Sequence, residues 1–358
     1  MATNTMERAI DEQRFQAFLG KVIGDFGAAL SSGLVFIGQK LGLYKAMAGA
    51  GPLTPAELAQ RTGTAERYIR EWLLNQASGG YVDYDPATGR YTLPPEQAVI
   101  LTDETSPFFV GGGFFVIKAM LQAQDRIAEA FRTGKGMRWD EHDPDLFLGT
   151  ERFFRPGYAT HLVAEWIPSL TGIEAKLKAG GSAADVGCGH GASTIILATA
   201  YPQSRVTGFD NHEASIARAR QAAAEAGMSG RVTFDVADAR SFPGAAYDLV
   251  TFFDCLHDMG DPVGAIARAG KALAPDGSVM IVEPMAGDTV EANFNPIGRT
   301  YSAASTLCCT ANSLAFGGPA LGAVASDEAI RKSVLAGGLR QFRRAAQTPF
   351  NRVFEARR

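Results

Sequence analysis

Cysteine is scarce. The four in this 358-residue chain, Cys188, Cys255, Cys308 and Cys309, form no C-x-x-C pair, which argues against both a zinc site and a disulfide framework. No metal is expected, and a reducing, cytoplasmic setting fits. Charge of one sign is also lacking. With 34 basic and 38 acidic residues and a net charge of -4, the chain has no electrostatic footprint for neutralising phosphates, so nucleic acid is not an expected partner. The longest apolar stretches, around Gly24 to Ile37 and Phe108 to Met120, are interrupted by glycines. They fall short of the roughly 20 residues that span a bilayer, so no membrane partner is expected. The segment Met1 to Phe15 mixes charges of both signs and lacks the apolar centre of a leader peptide.

What is present is an ordinary globular composition, 46% hydrophobic and 20% charged, at a length that favours about two domains. The pattern divides into residues 1–100, a helical and winged-helix part; residues 101–170, a helical linker and pocket lid; and residues 171–358, a catalytic domain. From Ala28 to Ala48 apolar residues recur at helical spacing, up to the breaker Gly49-Ala50-Gly51-Pro52. Thr54, Pro55 and Glu57 have the spacing of a capping box at the start of a helix. Thr64 caps a second helix running to about Gln76, and Gly80 to Leu93 alternates like a hairpin. Two helices and a hairpin make a winged helix.

That module invites a DNA-binding reading, and its charges answer it. From Thr54 to Leu93 the bases Arg61, Arg67, Arg70 and Arg90 meet the acids Glu57, Glu66, Glu71, Asp83 and Asp85. The second helix also carries Tyr68, Ile69, Trp72, Leu73 and Leu74, which are suited to packing rather than to reading base edges. A homodimerisation or packing role is expected. Between Pro94 and Leu170 the pattern is helical and rich in aromatics, some of which could form the apolar lid of a pocket.

From Ser182 short strand-like runs alternate with helical ones, the signature of an α/β, Rossmann-like parallel sheet. Strands are predicted near Ala183–Val186, Arg205–Asp210, Arg231–Val236, Tyr247–Phe253, Ser278–Glu283, Leu339–Ala346 and Asn351–Ala356, with helices filling the intervals up to the fifth. Ligands bind such sheets beyond the carboxyl ends of the strands. The first tip reads Asp185-Val186-Gly187-Cys188-Gly189-His190-Gly191, whose glycines permit a sharp turn and close approach of a ligand. The same residues also satisfy a permissive dinucleotide fingerprint. Charge separates the two readings: a dinucleotide presents an anionic pyrophosphate, whereas S-adenosylmethionine presents an ammonium and a sulfonium. Asp185 at the tip favours the cation. Asp210, at the second tip, is placed to accept from ribose hydroxyls. Asp238-Ala239, at the third, can accept from an adenine amino group and donate to its ring.

With these residues the chain, from Ser182 to its end, resembles the class I S-adenosylmethionine-dependent methyltransferases. The final strand pair around Gln347-Thr348-Pro349 looks like the closing antiparallel hairpin of that fold. Together with the winged-helix front, the whole is similar to small-molecule O-methyltransferases that dimerise through such a domain. The resemblance implies a seven-stranded sheet with S-adenosylmethionine as cofactor and S-adenosylhomocysteine as product. Cofactor-binding candidates are Tyr158, Asp185, Gly187, Cys188, Gly189, Gly191, Asp210, Asn211, Asp238, Ala239 and Asp254. The segment Leu256-His257-Asp258-Met259 resembles the family's Leu-His-Asp-Trp, which places the general base on His257, and Glu283 matches a carboxylate flanking that histidine. Met259 departs from the family's tryptophan, and the second flanking carboxylate has no counterpart. N-, S- or C-methylation by proximity alone therefore stays open beside O-methylation, as does a cofactor-sensing regulator of transcription. The insertion Pro284 to Ala325, with Phe294, Tyr301 and Phe316, points to a small, mostly apolar, cyclic acceptor.

Overall fold

The computed structural model describes residues 10–358, which form two compact units that divide between Asp103 and Glu104. Residues 1–9 of the stretch read for a leader lie outside the described residues.

The first unit opens with a 29-residue helix, Glu12–Lys40, capped by the Asp11 side chain. This overturns the expected interruption by glycines, and the helix is long and apolar enough to cross a membrane by length and composition. Gly20, Gly24, Gly27 and Gly33 sit inside it with open space around each. An isolated glycine costs a helix only about 1 kcal/mol, too little to end one of this length. The break falls instead at Gly42, whose φ of 68° starts the short helix Leu43–Met47. The Thr54 capping box forms as its spacing predicts: the Thr54 hydroxyl accepts from the Glu57 N–H, and the Glu57 carboxylate accepts from the Thr54 N–H at 2.7 Å. It opens the helix Pro55–Thr62. The next helix, Glu66–Ser78, is capped by Ala65 and not by Thr64, whose hydroxyl instead contacts that of Thr62 at 2.8 Å. The hairpin β1 (Asp83–Asp85) and β2 (Arg90–Thr92) completes the winged helix.

The second unit is built on a seven-stranded sheet in the order β5-β4-β3-β6-β7-β9-β8. The strands are β3 (Ser182–Val186), β4 (Arg205–Asp210), β5 (Val232–Val236), β6 (Tyr247–Phe253), β7 (Leu273–Pro284), β8 (Gln341–Gln347) and β9 (Asn351–Arg357). The first five run parallel, whereas β9 lies antiparallel between β7 and β8. Chain order reverses at β3, which opens a crevice between the β4 and β6 tips. Contrary to the expected alternation, no helix joins β5 to β6; ten residues including Pro243 and Gly244 cross instead. Apolar clusters cover both faces of the sheet, one around Trp166, Leu197 and Leu249, the other around Phe209, Phe252 and Ile281.

Candidate active site

A cavity of about 680 Å³ opens at the β3 switch point, with walls from the tips of β3, β4, β5 and β6 and from the helix Asp145–His161. The β3 loop forms its floor. Gly187, Gly189 and Gly191 take φ of 77°, 51° and 82°, and a Cβ on Gly189 would project into open space. Gly191 lies below the wall: it turns the chain into the helix Ala192–Ala200, and a Cβ there would strike the Phe234 ring at 2.6 Å. The N–H groups of Gly187 and Cys188 both donate to the Phe209 carbonyl, at 2.8 and 3.0 Å, and that of Gly189 donates to Asp210 at 2.9 Å. A loop whose amides are spent internally has little left to cradle a pyrophosphate.

Asp185, expected at the cofactor, does not line that wall. It is fully buried and accepts from the hydroxyls of Ser193 and Thr194, each at 2.6 Å, and from Thr251 at 3.0 Å. Burial pushes its carboxyl up, against the pull of these donors. Its part is to tie β3, β6 and the following helix together beneath the loop.

The other cofactor candidates, Gly191 apart, line the cavity. Asp210 is fixed between the Gly189 and His212 N–H groups at 2.9 Å each. Asn211, Cys188 and Ala239 line the same space. Asp238 lies there too, engaged by the Arg240 guanidinium at 2.9 Å through two nitrogens, and this partner holds its carboxyl below the usual range. Asp254 follows β6 with a φ of 50°, a left-handed conformation that costs a non-glycine residue about 1–3 kcal/mol. It accepts from the Tyr158 hydroxyl at 2.6 Å and from the Asn351 amide at 2.8 Å. Burial pushes Asp254 up to about 8 and Asp258, one turn on, up to about 7.

His257 and Glu283 meet each other but not the cavity. The His257 Nδ1 lies 2.5 Å from the Glu283 carboxylate, the pair is buried, and Cys309 faces the same imidazole. Burial alone would push His257 down; the carboxylate more than offsets it and holds the imidazole well above its ordinary value. A histidine so held keeps its proton near neutrality.

Several wall residues escaped sequence reasoning. The helix Asp145–His161 presents Phe147, Thr150, Glu151 and Phe154 beside the expected Tyr158, a stripe at helical spacing. Glu151 pairs with His190 at 3.0 Å, and Phe147 stacks on His212 with centroids 4.6 Å apart. The period was legible in the sequence; which face met a ligand was not. Asp140, Glu151, Asp210, Asp238, Asp254, Asp258 and Asp261 share this wall with the guanidiniums of Arg138 and Arg240 and the imidazoles of His190 and His212. Each guanidinium is already paired with a carboxylate. Acidic side chains thus outnumber basic ones around the cavity.

Comparison with known proteins agrees with this geometry. Residues 177–322 match a family model described as a methyltransferase domain, and residues 28–103 match an Rv2258c-like winged HTH domain. The chain is 32% identical over 145 residues to 27-O-demethylrifamycin SV methyltransferase of Amycolatopsis mediterranei, covering 40% of this chain and 48% of that one. It is 44% identical over 102 residues to trans-aconitate 2-methyltransferase of Streptomyces coelicolor, covering 28% and 34%. The matches therefore span less than half the length of these curated relatives. Among solved structures, mitomycin 7-O-methyltransferase superposes with a TM-score of 0.73 at 19% identity, covering 97% of this chain and 100% of that one. Human N-acetylserotonin methyltransferase, solved with its cofactor, gives 0.66 at 19%, covering 98% and 99%. The chain thus carries a methyltransferase domain behind a winged helix-turn-helix domain, in the fold of the small-molecule O-methyltransferases.

Proposed function

We propose that this protein is an S-adenosylmethionine-dependent methyltransferase that acts on the oxygen of a small, mostly apolar acceptor. The observation that carries the reading is the carboxylate-rich cavity at the β3 switch point, floored by a glycine loop with few free amides. Bound there, the cofactor supplies a methyl group on a sulfonium, which a nucleophile takes by in-line displacement. Asp210 would accept from the ribose hydroxyls, and Asp238 with Ala239 would meet the adenine. Glu151 would supply a counter-charge to a cationic group of the cofactor, and Asp254, largely protonated at its raised value, would offer a hydrogen bond beside it. Tyr158 and Asn351 hold Asp254 in place for that contact.

His257 fits a positioning role better than that of general base, because its imidazole is closed in by Glu283 and Cys309 behind the wall. Holding acceptor and methyl donor in line supplies the larger part of such a rate enhancement. Phe154, Phe253 and Phe316 on the wall support an apolar acceptor. In the first unit Phe15, Phe18, Phe26 and Leu30 stand exposed along one side of the helix Glu12–Lys40, which supports a homodimer formed through that unit. The four free thiols support a reducing, cytoplasmic setting. The test is transfer of label from methyl-labelled cofactor to a panel of phenols, thiols and N-heterocycles. Label on a phenol oxygen is the expected result, and label only on protein or nucleic acid would overturn the small-molecule reading.

A further inference from the structure

Trp139 occupies a position that neither the motifs nor the family matches assign. It sits in a short 3-10 turn, Trp139–Glu141, and lines the cavity. Its indole N–H donates to the Asp258 carboxylate at 2.7 Å, beyond the β6 tip. Its ring meets Phe147 edge-on with centroids 5.6 Å apart, and Phe147 in turn stacks on His212, two residues past the β4 tip. The two aromatics therefore link the β4 tip to the β6 tip.

This roof is docked, not loose. The Trp139 backbone N–H donates to the Asn312 side-chain oxygen at 3.1 Å, and the Asn312 amide donates to the Asp258 carbonyl at 2.9 Å. The Met137 N–H donates to the Ala311 carbonyl at 3.0 Å. Gly136 lies so close to the helix Thr310–Ala315 that a Cβ would stand 2.0 Å from the Ala311 carbonyl oxygen. Below, the floor next to the β6 turn offers Met259, a flexible thioether, where a flat ring would hold a base more rigidly.

We propose that Trp139 is the aromatic lid over the nucleoside half of the bound cofactor, a binding role supplied from the segment before the helix Asp145–His161. The assignment rests on the crevice being the S-adenosylmethionine site. An indole face covers an adenine by stacking, a contact that binding loses when the aromatic is truncated to alanine. The neighbours at the β4 tip, Asp210 and His212, place the ribose end beneath the same roof.

The chain has three tryptophans, Trp72, Trp139 and Trp166, so intrinsic fluorescence reports on this one by substitution. Wild-type protein and the Trp139→Phe and Trp139→Ala variants are titrated with S-adenosylhomocysteine and with 5′-methylthioadenosine, which lacks the amino-acid moiety, by calorimetry and fluorescence. The expected result is a ligand-dependent fluorescence change in wild type that Trp139→Phe abolishes while binding stays within about threefold. Trp139→Ala weakens both ligands alike, by roughly tenfold or more. If wild type binds S-adenosylhomocysteine but Trp139→Phe keeps the full fluorescence change, or Trp139→Ala binds both ligands as wild type does, the lid assignment fails alone. If wild type binds neither ligand, the cofactor site itself fails and takes the lid with it. Should Trp139→Ala not fold, the fluorescence comparison with Trp139→Phe still decides.

Discussion

Two buried aspartates, Asp185 beneath the crevice and Asp258 on its wall, show how differently a buried carboxylate can be employed. Asp185 satisfies three hydroxyls and faces no cavity, so Asp185→Ala leaves those donors unpaired in the interior. Unpaired buried donors cost about 1–3 kcal/mol each, and a lowered melting temperature at all pH values is the expected outcome in thermal denaturation. Asp258 behaves otherwise. Its folded value of about 7 lies above the ordinary value of 3.8, so the native state holds this proton more tightly than the unfolded chain. The stability this confers is full below about pH 4 and is lost as pH rises through 7. Asp258→Asn removes the charge and keeps an acceptor for Trp139. Its melting temperature should therefore gain on wild type by a few degrees between about pH 5 and pH 8.5; an equal offset at both would refute the assignment. For His257 the closed environment predicts that His257→Ala lowers kcat by less than tenfold once a substrate is known. A loss near a thousandfold would restore it as the base.

Among the elements, strands were legible because β-branched and aromatic runs between glycine and proline breakers leave few alternatives, and the closing hairpin β8–β9 turns at Thr348–Phe350 near where its residues indicate. Tip aspartates were legible by position only. Asp210, Asp238 and Asp254 reach the cavity while Asp185 does not, because the hydroxyls that claim Asp185 come from Ser193, Thr194 and Thr251, a convergence no local pattern encodes. Trp139 was illegible for the same reason: its contacts with Asp258 and Asn312 join segments more than a hundred residues apart. The first helix misled because its glycines looked like breaks. Its exposed stripe predicts that Phe18→Glu with Phe26→Glu abolishes self-association in analytical ultracentrifugation and leaves cofactor affinity intact. A wild-type chain that sediments as a monomer, or floats with lipid vesicles, would contradict the dimer reading.

At the scale of the whole molecule, the fold delivers carboxylates from three strand tips and one helix to a single crevice, and the central claim is that this crevice holds S-adenosylmethionine. Isothermal titration of the full-length protein with S-adenosylhomocysteine, and separately with NAD and NADP, tests it most directly. One S-adenosylhomocysteine is expected to bind per chain, lost in Gly187→Val, where a Cβ would meet the Cys255 sulfur at 2.8 Å under a φ of 77°, with no binding of either dinucleotide. Binding of NAD or NADP with none of S-adenosylhomocysteine would contradict it.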